Sequence, residues 1–167
     1  MPLKLDEKDV AILALLQANS QLTAKQIAKK VNAPITTVFA KIRRMEELQI
    51  IKEYRAILSP EKLGSSTAAF ILAAVSYRAK TENLPVSQRA VAEEIAKFPE
   101  VQEVHIITGD WDLLIKLRGM SVDAIGKFVV DRLRLVNGLE KTLTCMVFET
   151  LKETTKIALP LKGLSYT

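Results

Sequence analysis

The sequence predicts an α+β chain of two unlike parts, and three observations predict it. Up to about residue 50 the apolar residues recur only at helical spacing. Beyond residue 64 strand and helix patterns alternate in the order βαββαβ, the ferredoxin-like arrangement. Between them stands Ser59-Pro60-Glu61-Lys62-Leu63-Gly64, a turn-rich linker. The expected organisation is therefore a three-helix domain at 1–50, a strand and linker at 51–64, a ferredoxin-like domain at 65–152 and a tail at 153–167.

In the first part, residues 6–18 read as a helix with Asp6 as N-cap. Val10, Leu13, Ala14 and Leu16 lie inward, with Ile12 and Leu15 widening the stripe. Asn19-Ser20 stops it. Thr23 opens a second helix, and Gln26 three residues on completes a capping box, with Ile27 and Val31 facing inward. Asn32-Ala33-Pro34 is a tight turn. A third helix is expected over about 36–48, with Val38, Ile42, Met45 and Leu48 on one stripe. Ile50-Ile51 then lead into an expected strand ending near Leu58.

In the second part, strands are expected at 67–77, 101–108, 112–118 and 141–151. One helix is expected at 86–98, with Val91, Ile95 and Phe98 inward. A second begins at the cap Ser121 and carries Val122, Ile125, Val129 and Leu133. Both helices of such a unit cover the same face of the sheet, so the other face should turn polar. It does not. Phe70, Leu72 and Ala74 alternate with Ile71, Ala73 and Val75, and Met146 and Phe148 with Leu143, Cys145 and Val147. A sheet apolar on both faces predicts dimerisation through the open one.

Composition bounds the class. At 49% hydrophobic and 26% charged, the chain has the balance of a soluble globular protein. Its longest apolar run, residues 68–75, is too short to span a bilayer, and acids at Asp6, Glu7 and Asp9 argue against a signal peptide. The single cysteine, Cys145, excludes an intramolecular disulfide and fits a reducing cytoplasm. The formal charge is +5, and residues 1–58 hold ten basic against six acidic residues, a surplus of +4. No acid occurs between Gln21 and Met45. A polyanion would meet its charge complement in this one short segment.

Two short helices joined by a brief turn, the second basic, form a helix-turn-helix. With Val38, Ile42 and Met45 inward, Thr36, Ala40, Arg43 and Arg44 fall on the opposite face of the third helix, with Thr37 and Lys41 toward its edges. These six are the candidate contacts to double-stranded DNA. Arg43 and Arg44 suit phosphates or bidentate reading of guanine.

Linked motifs along the chain resemble the leucine-responsive regulator (Lrp/AsnC) family. Leu5, Asp6, Asp9, Ile12 and Leu13 match its opening L-D-x-x-D-x-x-I-L. Val38, Ile42, Arg43, Met45 and Glu46 match part of its recognition-helix pattern, and Ile51, Lys52 and Tyr54 its I-I-K-x-Y. Residues 103–117, 139–155 and 158–161 resemble its effector domain. The resemblance implies a transcription regulator that forms a homodimer, often assembled into tetramers or octamers, with an amino acid or related effector held between C-terminal domains. The effector residues it implies are Gly109, Asp110 and Asp112 of a Gly-Asp-x-Asp turn, and Thr142 and Thr144 of the last strand. The chain departs from the pattern at Pro34, which stands in place of a serine N-cap, at Phe39-Ala40, and in a longer stretch at 78–87.

Other residues read more simply. His105 near Asp110 and Asp112 lacks a second imidazole or thiolate placed by motif, so it reads as a strand histidine rather than a metal ligand. Trp111 reads as turn packing or as the wall of a ligand pocket, and Cys145 as a small buried residue. No cofactor, metal or catalytic residue is expected: no Gly-rich phosphate loop, nucleophile elbow or metal cluster is present in the sequence. An architectural DNA-compacting protein without effector is the alternative, and an enzyme of amino-acid metabolism a more distant one.

Overall fold

The structure is a computed structural model that describes residues 5–76 and 87–159. Within it the chain divides into two compact units, one of residues 1–57 with 153–167 and one of residues 58–152.

The first unit is built on α1 (Glu7–Ala18), α2 (Ala24–Val31) and α3 (Ile35–Glu47). Both expected capping boxes form. Asp6 and Asp9 satisfy each other's backbone N–H at 2.8 and 2.9 Å, and Thr23 and Gln26 do the same at the start of α2. Ile12, Leu13 and Leu16 from α1, Ile27 and Ala28 from α2, and Val38 and Met45 from α3 make one core, which Leu5 closes. Ala14, expected inside, is exposed, because the buried stripe runs through Ile12 instead. The turn after α2 holds Asn32 at φ 48°, a left-handed conformation that Asn tolerates at a helix end.

The strand expected after α3 does not form among the described residues. The N–H groups of Ile50 and Ile51 both donate to the Met45 carbonyl, at 2.9 and 3.1 Å, after Gln49 turns to φ 55°. These residues thus wind off the helix and pack on the three-helix core instead of pairing in a ladder. The tail also joins this unit. The Gln17 amide donates to the Ile157 carbonyl at 3.1 Å and accepts from its N–H at 2.8 Å, and Leu159 packs against the core.

The second unit holds β1 (Thr67–Val75), α4 (Gln88–Ile95), β2 (Val101–Ile106), β3 (Leu113–Gly119), α5 (Val122–Asp131) and β4 (Leu139–Met146). The strands form one antiparallel sheet in the order β2-β3-β1-β4. Ala69, Ile71, Ala73 and Val75 of β1 and Leu113, Ile115 and Leu117 of β3 face the helices. There they meet Val91, Ala92, Ile95, Ile125, Phe128 and Val129. Val122, expected inward, is exposed at the first turn of α5, and Phe128 is buried in the core. Its ring meets Phe98 edge-on at 5.4 Å between centroids, and the Arg132 guanidinium lies over both rings. The end of the first strand at Tyr77, the start of the helix at Val86 and the long stretch from Arg78 lie outside the described residues, as do Pro160 and Leu161.

The other sheet face is uncovered in the single chain. Leu114, Leu72 and Leu143 stand abreast across β3, β1 and β4, and Phe70 lies beside Cys145 and Lys116. Cys145, expected to be buried, is exposed, because its place in the alternation puts it on this face.

Candidate nucleic-acid interface and ligand site

α3 is held by its inner face and one edge. Val38 and Met45 are buried in the three-helix core. Lys41, expected at the edge of the DNA-facing surface, is instead committed to α1: its ammonium donates to both Asp6 and Asp9, the latter at 2.9 Å. Asp9 is 1% exposed, so its charge needs this partner. Burial works against the Lys41 charge, but the bonds from Asp6 and Asp9 outweigh it and hold the pKa above the ordinary lysine value. The same ammonium, followed by the Asp9 backbone N–H, lowers the pKa of Asp6. The Leu-Asp-x-x-Asp opening therefore caps α1 and fixes the rotation of α3 about its axis.

The outer face carries Thr36, Ala40, Arg43 and Arg44, all exposed, with Thr37 half-buried at the edge. Arg43 pairs with Glu47 at 3.0 Å, and Arg44 lies 4.0 Å from Asp9. An exposed i,i+4 pair is worth only about 0.3–0.5 kcal/mol, so Glu47 releases Arg43 to a stronger anion at little cost. Pro34 precedes α3 and supplies no side-chain cap, which leaves the first-turn N–H groups without a side-chain acceptor. Sequence reasoning left out Lys25, Lys29 and Lys30 of α2, which are exposed and make no ion pair among the described residues. The acid-free run from Gln21 to Met45 was the signal for them. Behind α3, the Tyr54 hydroxyl donates to Glu46 at 2.8 Å, and burial together with that bond pushes its pKa up to about 12.

In the second unit the ligand candidates fall into two groups. Gly109 and Asp110 are exposed in the turn joining β2 to β3. Gly109 holds φ 115°, and a Cβ built there meets nothing within 4 Å, so the approach to its backbone is open. Asp112 is already engaged. Its carboxylate accepts the Val75 N–H at 2.7 Å and the Gln88 amide at 3.2 Å, tying β3 to the end of β1 and the start of α4. Thr142 and Thr144 lie opposite Ala73 and Ile71, so they share the helix-side face as their alternation requires, and both are half-buried. β1 stands between their strand and β3. Trp111 lies half-buried in the turn, with the Lys141 ammonium 4.8 Å from its ring centroid. His105 is exposed and sits 3.2 Å from Glu103, whose pKa is lowered by His105 and Lys116. No cluster that would hold a metal ion occurs among the described residues, and no helix among them is long and apolar enough to cross a membrane.

A three-helix unit with a basic outward helix, joined to a βαββαβ unit, is the architecture of a helix-turn-helix transcription regulator with a ligand-binding domain. The chain belongs to the Lrp/AsnC family. Residues 72–157 match the Lrp/AsnC ligand binding domain, and residues 5–52 match a winged helix-turn-helix DNA-binding domain. An uncharacterized HTH-type transcriptional regulator of Pyrococcus abyssi is 40% identical over 149 residues, covering 89% of this chain and 96% of that one. The HTH-type transcriptional regulator FL11 of Pyrococcus horikoshii is 36% identical over 162 residues, covering 97% and 100%. Among solved structures, a transcriptional regulator of Neisseria meningitidis in complex with L-Met superposes with a TM-score of 0.83 at 28% identity, covering 93% of this chain and 97% of that one. Escherichia coli AsnC superposes with a TM-score of 0.78 at 22% identity, covering 91% and 97%, which shows the shared fold. These relatives are regulators of transcription, not enzymes.

Proposed function

We propose that this regulator reads DNA in sequence-specific fashion through α3 and responds to an amino acid or close relative bound where ligand-binding domains meet. The observation that carries the DNA part is the division of α3. One side is fixed by Val38, Met45 and the Lys41 to Asp6/Asp9 bridge, while the other presents Thr36, Ala40, Arg43 and Arg44 outward. A helix held in rotation offers one fixed set of groups to the major groove. Lys25, Lys29 and Lys30 suit the flanking phosphates.

The effector part draws on the L-Met complex of the Neisseria meningitidis regulator and on local chemistry. Asp110 complements an ammonium, the open backbone at Gly109 admits a carboxylate, and the Thr142 and Thr144 hydroxyls serve as further partners. Asp112 supports this turn from behind. The proposed assembly is a homodimer or a larger closed homo-oligomer joined through the uncovered sheet face, with the ligand held where subunits meet. A ligand held between subunits shifts DNA affinity only through contacts that differ between states.

The test is calorimetry of the full chain against the twenty amino acids, followed by DNA binding with each one that binds. A coupling of about 1–3 kcal/mol changes DNA affinity about 5- to 150-fold. DNA binding with no response to any amino acid or relative at millimolar concentration transfers the protein to the architectural reading.

A further inference from the structure

The outward face of α3 has an uneven chemistry along its length. Its cations, Arg43 and Arg44, stand in the third turn. The first two turns expose Ile35, Thr36, Phe39 and Ala40. Phe39 is 62% exposed and Ile35 50%, one turn apart on the same side of the helix. The core of this unit makes no use of the Phe39 ring, since Val38, Ile42 and Met45 supply the packing of α3. The exposed Phe39 ring, with the exposed Ile35 one turn before it, makes an apolar contact surface on the outer side of α3.

DNA offers few apolar partners in the major groove. Adenine is read by a side-chain amide, guanine by Arg or Lys, and cytosine by a carboxylate, whereas the thymine C5-methyl is read by Ala, Phe or the methyl of Thr. The first two turns of α3 hold no amide, no carboxylate and no cation other than the engaged Lys41. It is the N-terminal residues of a recognition helix that reach base edges. We infer that Phe39, flanked by Thr36 and Ala40, is a specificity-determining residue that recognises thymine methyl groups in the major groove. This rests on the DNA-reading role of α3, and it states which base the helix selects and by what atom.

The probe is a duplex selected from a random pool by the full-length protein itself. Each thymine is replaced in turn by deoxyuridine, which keeps the base-pairing edge and the O4 acceptor and removes only the methyl. One methyl taken out of water is worth about a fourfold change in affinity. At least one thymine in each half-site therefore loses about fourfold on replacement, and about 15-fold when the two symmetry-related sites are changed together. Phe39→Ala weakens binding to the thymine duplex and is indifferent to deoxyuridine at that position. Phe39→Leu keeps part of the discrimination, and circular dichroism shows both variants folded, because the side chain is outside the core. The inference is overturned if no thymine responds to the replacement, or if Phe39→Ala responds as strongly as the parent. It is equally overturned if Phe39→Ala alters sedimentation and leaves DNA affinity untouched, since the ring then serves a protein contact. A parent that selects no duplex overturns the DNA reading as well, whereas selection without methyl dependence overturns this inference alone.

Discussion

Asp9 shows how one residue serves both fold and function. It receives the Asp6 N–H in the capping box, accepts the Lys41 ammonium at 2.9 Å, and has Arg44 at 4.0 Å, all while 1% exposed. Replacing it by Ala removes one of the two bonds that tie Lys41 of α3 to the start of α1 and leaves Lys41 with Asp6 alone. A loss of about 2–3 kcal/mol is expected in denaturant unfolding. In a Lys41→Met background the same change costs less, and additive losses would show that the two do not interact. The pH dependence follows from Asp6. Its pKa is depressed in the folded state, chiefly by Lys41, so its contribution is present above the ordinary carboxylate pKa and lost as pH falls through the depressed one. Stability of the first unit should therefore fall below about pH 4, and Asp6→Asn should flatten that limb. Neither pairing was legible beforehand. A helical wheel places Lys41 at an edge of α3, but not the acids of α1 that reach it. The sequence likewise shows Asp112 only as an effector residue of the turn, since its bonds to Val75 and Gln88 bring together residues far apart in sequence.

At the scale of elements, the helices were legible where capping chemistry marks them. Asp6 and Thr23 start α1 and α2 where the sequence places them, and α3 begins at Ile35, one residue early, because Pro34 takes the cap position without a capping side chain. β4 was expected at 141–151 and runs Leu139–Met146, since pairing with β1 decides its ends. The strand expected over the connector does not form among the described residues for a physical reason: apolar Ile50 and Ile51 suit burial against helices as well as a ladder, and the described residues of this unit form helices and no strand. The period of α3 alone gives its outer face, whereas Phe39 reads from the sequence only as a departure from the family pattern. Arg43 and Arg44 give this element its prediction. Arg44→Ala, removing a phosphate contact, should weaken all duplexes alike and reduce the salt slope of binding by about one per site. Arg43→Ala, removing a base contact, should cost about 1–3 kcal/mol and relax preference at one position. Titrations at several salt concentrations separate the two. No change for either variant at any salt would place the DNA elsewhere.

For the whole molecule, the uncovered sheet face is the surface on which the proposed assembly rests. Its alternation was readable from residues 68–75, and the structure places Leu72 at its centre, between Leu114 and Leu143. Leu143 is 47% exposed and Phe70 36%, with Cys145 beside it, and an apolar surface of this kind on a sheet is stabilised by a second sheet. At the rim, Glu103 holds Lys116 at 3.1 Å, giving the patch a polar border of the sort that surrounds a protein interface. If the chain self-associates through this face, as proposed, two recognition helices are paired, and their half-sites should lie about one helical turn, roughly 34 Å, apart or at multiples of it. Leu72→Lys puts a charge at the centre of the face without touching the helix-side core, so the chain should stay folded and sediment as a monomer at micromolar concentration. Its DNA affinity should fall steeply, because each reading head then binds alone and the effective concentration supplied by its tether is lost. A parent chain that itself sediments as a monomer, or a Leu72→Lys variant that keeps both its assembly and a phased footprint, would show that some other surface joins the subunits.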